Sequence, residues 1–280
     1  PQYSLAMQLF FKLLGFLFSI GVIAVVAVVI WAGNVYNAPG GFNEDTFIII
    51  ERGDHLAEIT GQLEKKNLIE NPLVFKAAAR LTGAESLLKA GEYLILAGAS
   101  QREILALLES GKTFHRAVTI PEGLTSYEIV RLVNAAGHME GEITDIPEEG
   151  ALLPETYSYS RGEPRMEIIK RMRNAMTETV NELWKNRAED LPFDTKKEAL
   201  ILASIIEKET GVGEERAKVA GVFVNRLKIG MPLQTDPTVI YAITKGKHEN
   251  EGKGPLGRRL LRKDLEIDSP YNTYKYLGLP

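Results

Sequence analysis

The chain has 280 residues, enough for one anchor and two modest domains of roughly 100 to 150 residues each. A quarter of the residues are charged and the net charge is -4, so the cationic surface that nucleic-acid binding requires is missing. No cysteine is present, which excludes thiol nucleophiles, disulfides and cysteine-ligated zinc and fits an oxidising compartment without requiring one.

From Leu13 to Ala32 the chain runs twenty positions without a charge. A helix of that length rises about 30 Å, the thickness of a bilayer core. Lys12 is the only charged residue before Glu44, which favours a cytoplasmic N-terminus and places everything after about residue 33 outside the inner membrane. A cleaved signal peptide would have a shorter apolar region, of about 7 to 15 residues, and a small-residue cleavage site that does not follow Ala32. Residues 1–33 are therefore read as a cytoplasmic N-terminus and single-pass anchor. Residues 34–45, with Asn34, Asn37, Pro39, Gly40, Gly41 and Asn43, read as a linker.

Residues 46–112 alternate strand and helix signals. Phe47 to Ile50 is a short apolar strand, Gly53-Asp54 a turn, and Leu56, Ile59 and Leu63 recur at helical spacing. A second helix starts at Pro72, and Tyr93 to Leu96 returns as a strand. The order strand, helix, helix, strand is the plan of a LysM-like module. Ser100 and Glu103 form a capping box for a further helix that stops at Gly111. Gly53, Glu58 and Ile59 recur as Gly123, Glu128 and Ile129 at a constant offset of seventy. Either a strand-to-helix unit is duplicated or a common supersecondary pattern arises twice. Between Glu163 and Trp184, Ile168, Ile169, Met172, Met176 and Val180 predict an amphipathic helix with a solvated charged face.

Thr195 with Glu198 is another capping box and Gly211 a natural stop, predicting one helix over 196–210. Ala199, Leu202, Ile205, Ile206 and Glu209 fall in one arc of it, so Glu209 is expected on the buried face. Glu207 shares the other side with Leu200 and Ser204 and is expected to be solvated or to support the site indirectly. Burial among Ile and Leu favours the protonated acid, and so does a place in the last turn, near the negative end of the helix dipole. A proton donor for a glycosidic oxygen needs that bias. The alternative is a buried structural glutamate paired with Arg216 or Arg226, and the pattern alone leaves both open.

Four blocks in order then carry a resemblance: Ala203-Ser-Ile-Ile-Glu-Lys-Glu-Thr210, Val222-Phe-Val-Asn-Arg-Leu227, Leu233-Gln-Thr-Asp-Pro-Thr-Val-Ile-Tyr241 and Tyr271-Asn-Thr-Tyr274. Together with Glu149-Gly150 and Leu153-Pro-Glu-Thr-Tyr157, they make the chain resemble the endolytic murein transglycosylase (MltG/YceG-like) family. The resemblance implies an α+β protein: a transmembrane helix, a LysM-like β-α-α-β subdomain over 46–112, and a lysozyme-like mixed catalytic domain over 113–280. It implies Glu209 as the single catalytic acid, with Glu207 as a supporting residue or the alternative acid. By a more distant likeness to lysozyme-like lytic transglycosylases, Gln234, Thr235, Asp236, Tyr271, Asn272, Thr273 and Tyr274 are implied to line a glycan cleft. Gln234 and Asn272 would donate to sugar hydroxyls or acetamido groups, and the tyrosines would contact sugar faces. As bland alternatives, Asp236-Pro237 forms only a turn and the tyrosines only pack. The family continues beyond Leu277-Gly-Leu-Pro280, and the chain starts at Pro1 and not at Met, so a piece of a longer protein is expected.

No G-x-S-x-G, Walker A or G-x-G-x-x-G motif occurs. His55, His115, His138 and His248 are scattered and read as surface or loop residues, so neither metal nor cofactor is implied. Three functions remain in competition. The first is a lyase that cuts peptidoglycan glycan strands at MurNAc-β-1,4-GlcNAc bonds and leaves 1,6-anhydro ends, a candidate terminator of glycan polymerisation. The second is a hydrolytic muramidase using Asp236 or Glu207 as second carboxylate. The third is a non-catalytic peptidoglycan-binding anchor. Cell-wall synthases such as penicillin-binding proteins are the candidate protein partners.

Overall fold

The computed structural model of the chain describes residues 2–248 and 254–280, with side chains from residue 7 onward. It divides into two compact units, 1–114 and 115–280. Each builds its own core around a two-stranded antiparallel sheet.

The first unit opens with α1 (Gln2–Asn37), whose residues from Met7 to Trp31 are exposed along their whole length. The linker expected from residue 34 is helical as far as Asn37, because nothing breaks the helix before Pro39 and Tyr36 packs on the first core. After it come β1 (Thr46–Ile50), α2 (Leu56–Lys65), α3 (Pro72–Thr82), β2 (Gly91–Ile95) and α4 (Gln101–Ser110). The strand-helix-helix-strand order is present. β1 and β2 pair antiparallel, with Ile48 opposite Tyr93, and both of those side chains are buried. Leu56, Ile59 and Leu63 fill the same core from α2. Asn71 caps α3 through Leu73 N (3.0 Å) and Val74 N (3.2 Å), and Pro72 occupies the first turn, where its missing N–H costs nothing. Gly111 ends α4 in the left-handed region at φ +68°, which a glycine adopts without strain.

The second unit contains β3 (Arg116–Thr119), α5 (Ser126–Ala135), β4 (Thr156–Tyr159), α6 (Arg165–Lys185), α7 (Lys196–Glu209), α8 (Gly213–Lys228) and α9 (Asp236–Thr244). β3 and β4 pair antiparallel, with Val118 opposite Tyr157. Ile168, Ile169 and Met172 of α6 close the core below them. The offset of seventy corresponds to a repeated local geometry. Gly53 and Gly123 both take positive φ, the carboxylates of Glu58 and Glu128 accept from His55 N (2.8 Å) and Thr125 N (2.9 Å), and Ile59 and Ile129 are buried. A smaller cluster of Leu202, Ile205, Phe223 and Leu233 joins α7, α8 and the segment that leads to α9.

Candidate active site

Thr195 caps α7 as the sequence predicts, its hydroxyl accepting from Glu198 N (3.2 Å) while Glu198 accepts from Thr195 N (2.9 Å). The helix ends at Glu209 because Thr210 turns extended; Gly211 does not supply a left-handed cap. Leu202 and Ile205 lie in the core, which confirms the apolar arc. Its last member does not follow. Glu209 is exposed, since the arc fixes a direction around the helix and not how far the neighbouring elements reach over its end.

Glu207 is the more enclosed of the two. Arg216 Nη2 lies 3.0 Å from its carboxylate and 3.1 Å from that of Glu122, and the Gly123 turn abuts the Glu207 side chain. The arginine pairing that the sequence left open for Glu209 belongs to Glu207, and Arg226 instead donates to the Leu233 carbonyl. Partly exposed ion pairs of this kind contribute little to stability, about 0 to 1 kcal/mol.

Around Glu209 the structure gathers most of the expected residues. Buried Thr235 donates its hydroxyl to the Glu209 carboxylate. Thr235 N in turn donates to Thr273 Oγ1 (3.1 Å), and the Thr273 and Thr238 hydroxyls are 2.9 Å apart. Gln234, exposed, is held at φ +50°, a conformation uncommon outside glycine, with its N–H donating to the Thr273 carbonyl (3.1 Å). Asp236 is exposed and opens α9, so Asp236-Pro237 starts a helix and is not merely a turn. Its carboxylate accepts from the Tyr274 hydroxyl at 2.6 Å. Burial pushes the Tyr274 phenol up to about 12, helped by that hydrogen bond and by the charges of Asp236 and Glu209 and opposed by Arg226. The phenol thus keeps its proton and acts as a donor. Tyr271 packs edge-on against Tyr241 (5.0 Å between centroids), carries Lys245 Nζ 4.5 Å above its ring, and leaves part of its surface open.

Two expected sugar contacts lie inside. Asn272 has no exposed surface: its amide donates to Leu265 O (2.9 Å) and Ile267 O (2.8 Å), and its carbonyl accepts from Tyr274 N (3.0 Å). Thr273 is equally buried, and its hydroxyl is engaged by Thr235 and Thr238. Both residues hold up the site and do not line it. Among the described residues no group of three His, Asp or Glu is arranged to hold a metal ion.

The model of the YceG-like family matches residues 48–280. The chain belongs to this family. This YceG-like chain is 32% identical over 263 residues to an endolytic murein transglycosylase of Bacillus subtilis strain 168, a match covering 83% of the chain and 70% of the relative. It is 29% identical over 281 residues to an endolytic murein transglycosylase of Streptococcus pneumoniae strain D39, covering 82% of the chain; it spans about half of that relative's length, 48%. A 2.6 Å crystal structure of a YceG-like protein from Listeria monocytogenes is 30% identical, covering 85% of this chain and 84% of that one, with a TM-score of 0.46.

A second polar cluster of the YceG-like unit escaped the sequence reading. His248, read as a surface or loop residue, is largely enclosed, with Nδ1 3.3 Å from Glu128 and Nε2 3.3 Å from Thr244 Oγ1. Beside it, Glu149 accepts from Ser126 N (2.9 Å) at the start of α5. Only the glutamate's presence in Glu149-Gly150 signalled it. Burial raises the Glu149 carboxyl above the usual 4.5, with Glu128 adding to the rise and the Ser126 hydrogen bonds and His248 opposing it. A raised acid binds its proton more tightly in the folded chain, so this contribution to stability is full below the usual value and is lost as pH rises through the raised one. Glu149→Gln is expected to remove that slope from the thermal midpoint measured between about pH 4 and pH 7. A slope equal to wild type would assign it to other groups.

Proposed function

We propose that the chain is a membrane-anchored endolytic murein transglycosylase that cuts MurNAc-β-1,4-GlcNAc bonds and leaves 1,6-anhydro-MurNAc ends, with Glu209 as its single acid and base. The observation that carries this reading is one exposed carboxylate at the end of α7, held by the Thr235 hydroxyl and bordered by Gln234, Asp236 and Tyr274, in a YceG-like chain. The names of the Bacillus and Streptococcus relatives supply the substrate class.

In the first half of the reaction Glu209 gives its proton to the bridging oxygen as the bond from that oxygen to C1 of MurNAc breaks. In the second half the carboxylate takes the proton of the MurNAc 6-hydroxyl, whose oxygen bonds to C1. The sugar supplies the nucleophile, so no second carboxylate is needed, in contrast to ordinary glycosidases. The free protein leaves Glu209 open to water. A glycan lying across the site would exclude that water, the condition under which a carboxylic acid keeps its proton. Gln234 and the Tyr271 ring would contact the strand, while Thr235 sets the carboxylate's orientation.

The apolar α1, whose candidate span runs from Met7 to Asn37 and contains an 18-residue window of mean hydropathy 3.0, is the single-pass anchor with the N-terminus in the cytoplasm. The β1-α2-α3-β2 unit would bind glycan weakly in the manner of a LysM-like module. Cleavage beside the membrane would then end nascent strands next to the synthases. A hydrolytic muramidase is the second reading, favoured by the Asp236 carboxylate beside Tyr274.

Two variants test the role of Thr235. Thr235→Val is expected to lower kcat by about tenfold or more with KM unchanged, the effect of losing a charge-assisted hydrogen bond of about 1.5 kcal/mol, and Thr235→Ser should restore it. A rise in KM at constant kcat would instead make Thr235 a sugar contact.

A further inference from the structure

The outer face of α3 leaves two leucines open to solvent. Leu73 is 76% exposed and Leu81 88%, while Phe75 and Ala79 on the opposite side enter the core. At 100° per residue, Lys76, Arg80, Leu73, Ala77 and Leu81 follow one another around the open side of the helix. That side holds two leucines and two cations, and α3 contains no carboxylate. Arg80 has a loose pairing, its Nε 3.7 Å from Glu85. Leucines flanked by long cationic side chains are the composition of a helix lying in a bilayer interface, where the stems lie along acyl chains and the charges reach phosphate.

Position agrees with composition. α1 is fully exposed through Trp31 and becomes partly buried from Ala32, where its apolar run ends. Its end packs on α3 and α4, with Tyr36 against the core and Arg102 Nη1 3.5 Å from Asn37 Oδ1. No spacer separates span and unit. The five residues from Gly33 to Asn37 rise about 7.5 Å, comparable with the headgroup layer on one side of a bilayer. A helix packed on those turns stands at headgroup depth.

We propose that the Leu73–Leu81 face of α3 is a second membrane contact, seated among the headgroups of the bilayer that α1 crosses, with Lys76 and Arg80 on lipid phosphate. It rests on the anchor reading of α1. The contact would hold the first unit at the surface and limit its rotation about the anchor.

The absence of native cysteine makes the test direct. Single-cysteine variants of the whole chain, Leu73→Cys, Leu81→Cys, Val25→Cys within the apolar run and Glu64→Cys on exposed α2, are labelled with an environment-sensitive fluorophore. They are reconstituted in vesicles of phosphatidylethanolamine and phosphatidylglycerol, with or without lipids carrying a nitroxide on the headgroup. Labels at 73 and 81 are expected to be blue-shifted and quenched by the headgroup nitroxide, the label at 25 blue-shifted, and the label at 64 neither. Labels at 73 and 81 that match the one at 64 while 25 stays blue-shifted would overturn the contact and keep the anchor. A water-exposed label at 25 would overturn the anchor, and the contact with it. Blue shift at 73 and 81 without quenching, together with cross-links between copies, would assign the face to a second copy of the chain and overturn the lipid contact.

Discussion

Glu209→Gln is expected to lower murein cleavage by about 100-fold or more, because the amide cannot give a proton to the leaving oxygen. Thermal stability should change little, since the side chain is exposed and the glutamine carbonyl can still accept from Thr235. Glu207→Gln breaks only a partly exposed pair with Arg216 and should keep most of the activity. The pair of variants is informative together. An active Glu209→Gln chain beside a dead Glu207→Gln chain would transfer the acid to Glu207, the more enclosed carboxylate.

The second large effect concerns folding. Asn272→Ala removes two donors and an acceptor from a site with no exposed surface, leaving Leu265 O, Ile267 O and Tyr274 N without this partner. Each orphaned buried group costs about 1 to 3 kcal/mol, so a loss of roughly 3 kcal/mol or more is expected. For a unit of this size that corresponds to a fall of roughly 6 to 12 °C in the thermal midpoint. Were Asn272 a sugar donor, the midpoint would stay and only KM would rise. Calorimetry on the purified variant, alongside its kinetics, separates the two.

The contrast between Glu209 and Asn272 shows what could be read from the sequence. Local rules worked where a few neighbouring residues decide the outcome. The capping boxes at Ser100 and Thr195, the turn at Gly53 and its counterpart at Gly123, and the starting proline of α3 are all set within one helical turn. Rules that need to know what lies opposite failed. The helical arc put Glu209 with Leu202 and Ile205 but could not show that the side chain stays open to solvent. The Tyr271-Asn272 motif marked the right loop, yet only the carbonyls of Leu265 and Ile267 turn the asparagine inward. α8 went unread because its sole buried residue is Phe223 and Gly221 interrupts its pattern. α9 was hidden behind Asp236-Pro237, which suits a turn as well as a helix start. His248 meets Glu128 across 120 positions of sequence, a distance no spacing rule bridges.

In the proposed reaction a single carboxylate cuts the glycan with the sugar's own hydroxyl as nucleophile. An oriented intramolecular hydroxyl has an effective concentration of about 10⁵ M or more and outcompetes water. Mass spectrometry of glycan strands released from purified murein by the intact chain tests this most directly. The account predicts new ends of 1,6-anhydro-N-acetylmuramic acid, each one water lighter than a reducing end, and their loss with Glu209→Gln. Hydrated reducing ends alone would contradict it and make the enzyme a muramidase, with Asp236 the first residue to test as its second carboxylate.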